Sequence, residues 1–124
     1  MYSIDDKDYP CSTSVAMRFI GGKWKAAILI HLRDKKRYSE LRKELGNITE
    51  RTLSLQLKEL EADGVVIRTV LTDKPPLRVE YELSKFGQTL IPLLDTISAF
   101  GREIAKNSDK VIIVQKECSM LNEQ

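Results

Sequence analysis

Three features of this 124-residue chain predict a mainly helical α+β fold. Apolar residues recur at helical spacing through two consecutive segments joined by a short glycine-containing turn. Two β-rich runs follow, and the pair Pro75-Pro76 closes them. A further apolar series, spaced alternately three and four residues apart, occupies the C-terminal part.

The length fits one domain over residues 1–124 and allows a core without covalent staples. The net charge of +2 does not by itself announce an anionic partner, so the distribution of charge matters more. Asp5, Asp6 and Asp8 make the start acidic. Lys35, Lys36, Arg37, Arg42, Lys43, Arg51 and Lys58 make residues 35–58 basic. There is no apolar run of spanning length and no signal-peptide pattern, so a cytoplasmic protein without a membrane partner is expected. Cys11 and Cys118 form neither a CxxC nor a zinc spacing. In a reducing compartment a permanent structural disulfide between them is not expected.

Pro10-Cys11-Ser12-Thr13 opens a first helix after an N-terminal arm, residues 1–10. Val15 and Phe19 share one face, and Gly21-Gly22 ends it. A second helix begins near Lys23, with Trp24, Ile28 and Leu32 at every fourth residue. Arg33-Asp34-Lys35-Lys36 reads as a charged turn. Ser39 is the expected N-cap of a short helix that turns Leu41 and Leu45 inward. Gly46-Asn47 breaks the chain. Thr49 caps a helix from Glu50 that carries Leu53, Leu57 and Leu60 on one stripe and stops at Asp63-Gly64. Residues 39–63 are therefore a helix-turn-helix candidate.

Residues 65–83 read as a hairpin. Leu77, Val79, Tyr81 and Leu83 face one way, and Arg78, Glu80 and Glu82 the other. A hairpin built only for stability would favour Asn-Gly or Asp-Gly at its tip. The tip Asp73-Lys74-Pro75-Pro76 gives up backbone donors instead, which suits a rigid finger touching something outside the fold. Ser84 caps a last helix over 84–106, with a local break expected at Pro92. Leu90, Leu93, Ile97, Phe100 and Ile104 form a coiled-coil-like seam in it. The tail, 107–124, holds the apolar run Val111-Ile112-Ile113-Val114 and has no predicted element.

Helix, turn, helix and charged hairpin compose a winged helix-turn-helix. The leucine stripe of its second helix sends Arg51, Leu55, Lys58 and Ala62 to the opposite side, with Glu50, Thr52, Ser54 and Glu59 on the flanks. In this architecture the first turns of that helix meet base edges in the major groove. Arginine can grip guanine by two hydrogen bonds, and an apolar side chain can meet a thymine methyl. The expected contacts to double-stranded DNA are Ser39, Arg42, Thr49, Glu50, Arg51, Thr52, Ser54, Leu55 and Lys58. Lys74 and Arg78 of the wing are expected on phosphate or in the minor groove.

Nothing in the sequence pairs a nucleophile with a general base or cradles a phosphate in glycines. His31 has no ligand cluster around it, and Trp24 reads as core. No catalytic residue, metal or cofactor is expected. Two other classes compete with a DNA-binding protein. One is a protein-interaction module, which has less need of the basic bias. The other is a thiol enzyme using Cys11, which lacks a histidine partner.

The motifs "GGKW", "RYSELRKEL", "LKELEADGVV" and "VEYELSKFGQTL" together make the chain, from about Cys11 to about Ile104, resemble the HxlR-type bacterial winged helix regulators related to the MarR proteins. The resemblance implies a homodimeric transcription factor whose N- and C-terminal helices pack across the dimer axis. Leu90, Leu93, Ile97, Phe100 and Ile104 would then be interface. The two recognition helices would lie roughly 34–36 Å apart on a two-fold operator.

Many members of that family carry a cysteine where Cys11 stands, and several respond through it to oxidants, quinones or aldehydes. A helix N-terminus favours a thiolate, and Arg18 and Lys23 are expected to add positive charge. Such settings bring thiol pKa values into the range of roughly 3.5–7.5. In some relatives the partner of this cysteine is one near the other subunit's C-terminus, a role that would fall to Cys118. Control by a small ligand at the dimer interface, without thiol chemistry, is the alternative mode of regulation.

Overall fold

The structure is a computed structural model that describes residues 1–114. Its elements run β1 (Tyr2–Ile4), β2 (Lys7–Tyr9), α1 (Ser12–Ile20), α2 (Lys25–His31), β3 (Lys36–Arg37), α3 (Tyr38–Leu45), α4 (Glu50–Ala62), β4 (Val66–Val70), β5 (Val79–Leu83) and α5 (Lys85–Asn107). β1 and β2 form a separate hairpin. The other strands form an antiparallel sheet in the order β3-β5-β4. Val66 stands opposite Leu83, Val70 opposite Val79, and Lys36 opposite Tyr81. This is a winged helix-turn-helix: α3 and α4 are the paired helices, and β4–β5 the wing.

The core gathers where α4 meets its neighbours. Leu53, Leu57 and Leu60 are fully buried with Ile28, Leu29 and Leu32 from α2 and its end, Leu41 of α3, and Val65. Each such leucine contributes roughly 1.5–3 kcal/mol by leaving water. Both ends of α4 are closed by specific groups. Thr49 Oγ1 accepts from the Thr52 N–H at 3.1 Å, as expected of an N-cap. At the other end Gly64 takes φ +76, and the Val65 N–H returns to the Leu60 carbonyl at 2.9 Å, a Schellman closure.

That closure leads into the wing and from there into α5. Ser84 caps α5 by accepting from the Gly87 N–H at 3.0 Å, and its hydroxyl donates to the Gly64 carbonyl at 2.6 Å. The end of α4 and the start of α5 are thus held by one side chain. Gly87 packs against the same place: a Cβ there would lie 2.3 Å from the Val65 oxygen, closer than atoms can approach.

Several local expectations are corrected. Ser39 is not the N-cap of α3. Lys36 and Arg37 are hydrogen-bonded to β5, so the chain enters the helix directly from a strand, and Arg37 becomes the cap. Glu40 turns back to accept the Arg37 N–H at 2.8 Å. For the same reason Lys36 belongs to the sheet and not to the charged turn. Pro92 does not break the last helix, which runs unbroken from Lys85 to Asn107. The hydrogen bond that proline forfeits would have gone to Gln88, on the exposed side, where water can take the donor's place. Leu77 lies outside β5 and is exposed, because the wing tip extends beyond Val70 and Val79. Thr72 Oγ1 closes that tip, accepting from the Arg78 N–H at 3.2 Å.

The N-terminal arm is folded. Asp5 and Asp6 take φ +51 and +66, the left-handed pair that suits a tight hairpin turn. Arg18 of α1 straps this hairpin down. Its guanidinium donates to Asp5 at 2.8 Å, to the Tyr9 hydroxyl at 3.1 Å, and to Asp63 at the end of α4 at 2.9 Å. Residues 108–114 form no helix or strand. Cys118 lies outside the described residues.

Replacing Gly87 with Ala is expected to overpack the α4–α5 junction and to cost about 1–3 kcal/mol. Urea unfolding followed by circular dichroism checks this. A midpoint equal to that of the unaltered protein would show that the junction can yield.

Candidate nucleic-acid interface

Burial of the leucine stripe decides what α4 shows to solvent. Arg51, Leu55 and Lys58 all lie on its open side. Leu55 is 51% exposed, whereas the three stripe leucines are buried. Glu50 and Thr49 are exposed at its start. Thr52, expected to face outward, is half-buried, and its hydroxyl accepts from Thr49 Oγ1 at 2.9 Å. Ser54 is exposed but engaged. The Tyr38 hydroxyl donates to the Glu50 carbonyl at 3.3 Å and lies 3.2 Å from Ser54 Oγ, which can donate back to it. Tyr38 therefore ties the start of α3 to the first turns of α4. Arg42 also reaches across, pairing with Glu50 at 3.9 Å. Both groups are largely exposed, so the pair contributes little.

The basic bias of residues 35–58 divides in two. Lys35 pairs with Glu82 at 3.8 Å and Lys36 with Glu44 at 3.3 Å, while Arg33 pairs with Asp95. Those charges are answered within the fold. Arg37, Lys43, Arg51, Lys58, Lys74 and Arg78 enter no ion pair among the described residues. Of the positions expected to meet DNA, all but Thr52 are exposed: Ser39, Arg42, Thr49, Glu50, Arg51, Ser54, Leu55 and Lys58 on the helix pair, and Lys74 and Arg78 on the wing.

Between wing and helix pair runs an open cleft of about 420 Å³, lined by Arg37, Tyr38, Ser39, Ser54, Leu77 and Arg78 among others. It gathers three expected residues, Ser39, Ser54 and Arg78, and adds two that sequence reasoning did not select, Arg37 and Tyr38. Their placement depends on β3. A strand of two residues leaves no alternation to detect.

Cys11 is the N-cap of α1 and is exposed. Its Sγ lies 3.5 Å from Ser14 Oγ. The Ser14 hydroxyl, followed by the Ser14 backbone N–H and the groups of Thr13, holds the thiol pKa below its ordinary value. Arg18 and Lys23, expected to help, are not among the groups that lower it. Arg18 is occupied by Asp5, Tyr9 and Asp63, and Lys23 Nζ sits over the Trp24 ring at 5.4 Å.

The seam of α5 splits. Leu90 is half-buried against the chain's own core, beside the fully buried Leu94. Leu93, Ile97, Phe100 and Ile104 are exposed, Phe100 to 68%. His31 is buried with Nδ1 2.9 Å from Glu44, in an internal polar contact. Among the described residues no group of side chains could hold a metal ion, and no helix is long and apolar enough to cross a membrane.

The profile of the HxlR-like helix-turn-helix family matches residues 19–109. An HTH-type transcriptional regulator of Bacillus subtilis, YtcD, is 48% identical over 99 residues, 79% of this chain and 78% of that one. Another from the same organism, YdeP, is 44% identical over 116 residues, 93% of this chain and 89% of that one. Among solved structures, the redox regulator HypR in its oxidized form superposes with a TM-score of 0.69 at 43% identity, covering 80% of this chain and 99% of that one.

With Cys118 replaced by Ser, alkylation of Cys11 by iodoacetamide should approach its full rate at a lower pH than for an unperturbed thiol. Ser14→Ala should move the profile upward, since the largest stabiliser of the thiolate is gone. A profile at the ordinary thiol pH, insensitive to Ser14, would contradict the assigned cause.

Proposed function

The chain belongs to the HxlR-like helix-turn-helix family, and from that premise we propose a homodimer that reads a two-fold operator and couples oxidants or electrophiles to it through Cys11. As a member of that family it is a DNA-binding transcriptional regulator and not an enzyme. The observation that carries sequence-specific reading is the exposed pair Arg51 and Leu55, directly opposite the buried stripe of α4. Arg51 supplies a bidentate donor for guanine, and Leu55 an apolar contact for a thymine methyl. Lys58, Thr49, Glu50, Thr52, Ser54, Ser39 and Arg42 complete the surface offered to the groove. Lys74 and Arg78 approach backbone or minor groove from the wing.

Two further observations support the rest. Leu93, Ile97, Phe100 and Ile104 leave one side of α5 apolar and uncovered, which a second copy would bury. Cys11 is exposed with a depressed pKa, and a relative of 43% identity is described as a redox regulator. In the electrophile reaction the Cys11 thiolate forms a bond to a quinone ring carbon or an aldehyde carbon; the π bond at that carbon opens, its electron pair ends on the carbonyl oxygen, and that oxygen takes up a proton. In the oxidative one it pairs with a second thiol, for which Cys118 of the other subunit is the candidate. Two electrons then pass to the oxidant, with the one proton that the second thiol gives up.

Genomic fragments captured by the purified protein, once with reductant and once after a mild thiol oxidant, test the proposal. A palindromic fragment held when reduced and lost or exchanged when oxidised is expected. Equal retention in both states would remove Cys11 from the switch, and retention of no particular fragment would remove the specific operator. On that fragment Arg51→Ala should cost about 1–3 kcal/mol and relax sequence preference. Lys74→Ala should weaken all duplexes alike, and reversed patterns would exchange the two roles. Phe100→Glu should convert the dimer to monomer in sedimentation velocity. An unchanged mass would place the interface elsewhere.

A further inference from the structure

We infer that the cleft between the wing and the helix pair seats a phosphate of the DNA backbone, with Arg37 as a cation that contacts it alongside Arg78. The inference rests on the reading of α4 as the DNA-contacting helix and extends it to Arg37, a residue that this reading does not include.

The cleft has walls from three elements. The β3–α3 junction supplies Arg37, Tyr38 and Ser39, α4 supplies Ser54, and the wing supplies Leu77 and Arg78. Two guanidiniums line it and no carboxylate does. The charges around Arg37 make the point sharper. Arg33, Lys35 and Lys36 are each answered by a carboxylate of the chain, whereas Arg37 enters no ion pair among the described residues. Glu80 stands opposite Arg37 in the strand register yet forms no ion pair with it. Arg78 likewise enters no ion pair among the described residues. Two cations that line one open cleft and enter no ion pair among the described residues call for an external anion.

The chemistry of the lining selects a phosphodiester. Guanidinium donates in a planar fork that matches phosphate oxygens. The Ser39 hydroxyl, which makes no hydrogen bond among the described residues, adds a donor. Tyr38 is occupied with Glu50 and Ser54 and acts on the site indirectly, by fixing the distance between α3 and α4 that sets the cleft's width. A phosphate seated there lies beside the helix that reads the bases. It would set the register of α4 without carrying sequence information.

The salt dependence of binding tests this, measured from 50 to 200 mM for the captured operator and for an unrelated duplex. Arg37→Gln should weaken both by the same factor. It should also make the slope of log K against log salt shallower by about 0.9, the value for one phosphate contact. Arg37→Lys should keep the slope, since the charge remains. Circular dichroism of each variant verifies that β3 and α3 are formed. A folded Arg37→Gln protein with an unchanged slope overturns the seat. So does one that loses operator preference while keeping its affinity for the unrelated duplex, which would make Arg37 a base reader. Failure of the unaltered protein to bind any duplex would overturn the DNA reading of α4 first, and this inference with it.

Discussion

Burial of three leucines on one stripe of α4 is the constraint from which the functional surface follows. Leu53, Leu57 and Leu60 are held in the core by Leu29, Leu41 and Val65, among others. At about 100° per residue, this fixes the rotation of the helix. No other rotation buries the stripe, so Arg51, Leu55 and Lys58 have only one side on which to stand. The ends of the helix fix its translation. Thr49 sets where it starts, and the closure at Gly64 sets where the wing begins. Ser84 then carries that position into α5. Reading helix, wing and the exposed stripe of α5 are thereby one rigid arrangement.

Charge is placed on this frame by subtraction. Several cations are paired with carboxylates of the fold, and others enter no ion pair among the described residues. The wing shows this well. Its strands carry Glu80 and Glu82 against one cation, Arg68, and Glu82 holds Lys35, while at the tip Lys74 and Arg78 outnumber Asp73. An anion approaching the wing is met favourably at its tip and not along its strands. A modest net charge is thus compatible with a local field strong enough to steer a polyanion.

The elements legible in the sequence were those whose signal is long or chemically marked. The stripe of α4 and the alternation of β5 repeat a pattern along the chain, and the threonine cap of α4 and the serine cap of α5 are marked by their chemistry. What was not legible depended on distant parts of the chain. The strand β3 exists because β5 offers it partners. It displaced the cap from Ser39 to Arg37 and carried Arg37 and Tyr38 to the cleft. The hairpin β1–β2 is held by Arg18, whose partners lie at Asp5, Tyr9 and Asp63. Pro92 reads locally as a break, and solvent exposure of the affected carbonyl removes the reason for one. The seam of α5 reads as a single stripe, yet its first leucine turns to the core and the rest remain open.

The most direct test of the account is a hydroxyl-radical footprint of the reduced protein on its captured operator. Two protected tracts related by a two-fold axis, with centres one helical turn of about 10–10.5 base pairs apart or a multiple of it, are predicted. A single protected tract, or two tracts without that symmetry, would contradict a dimer that presents α4 to successive turns of the major groove.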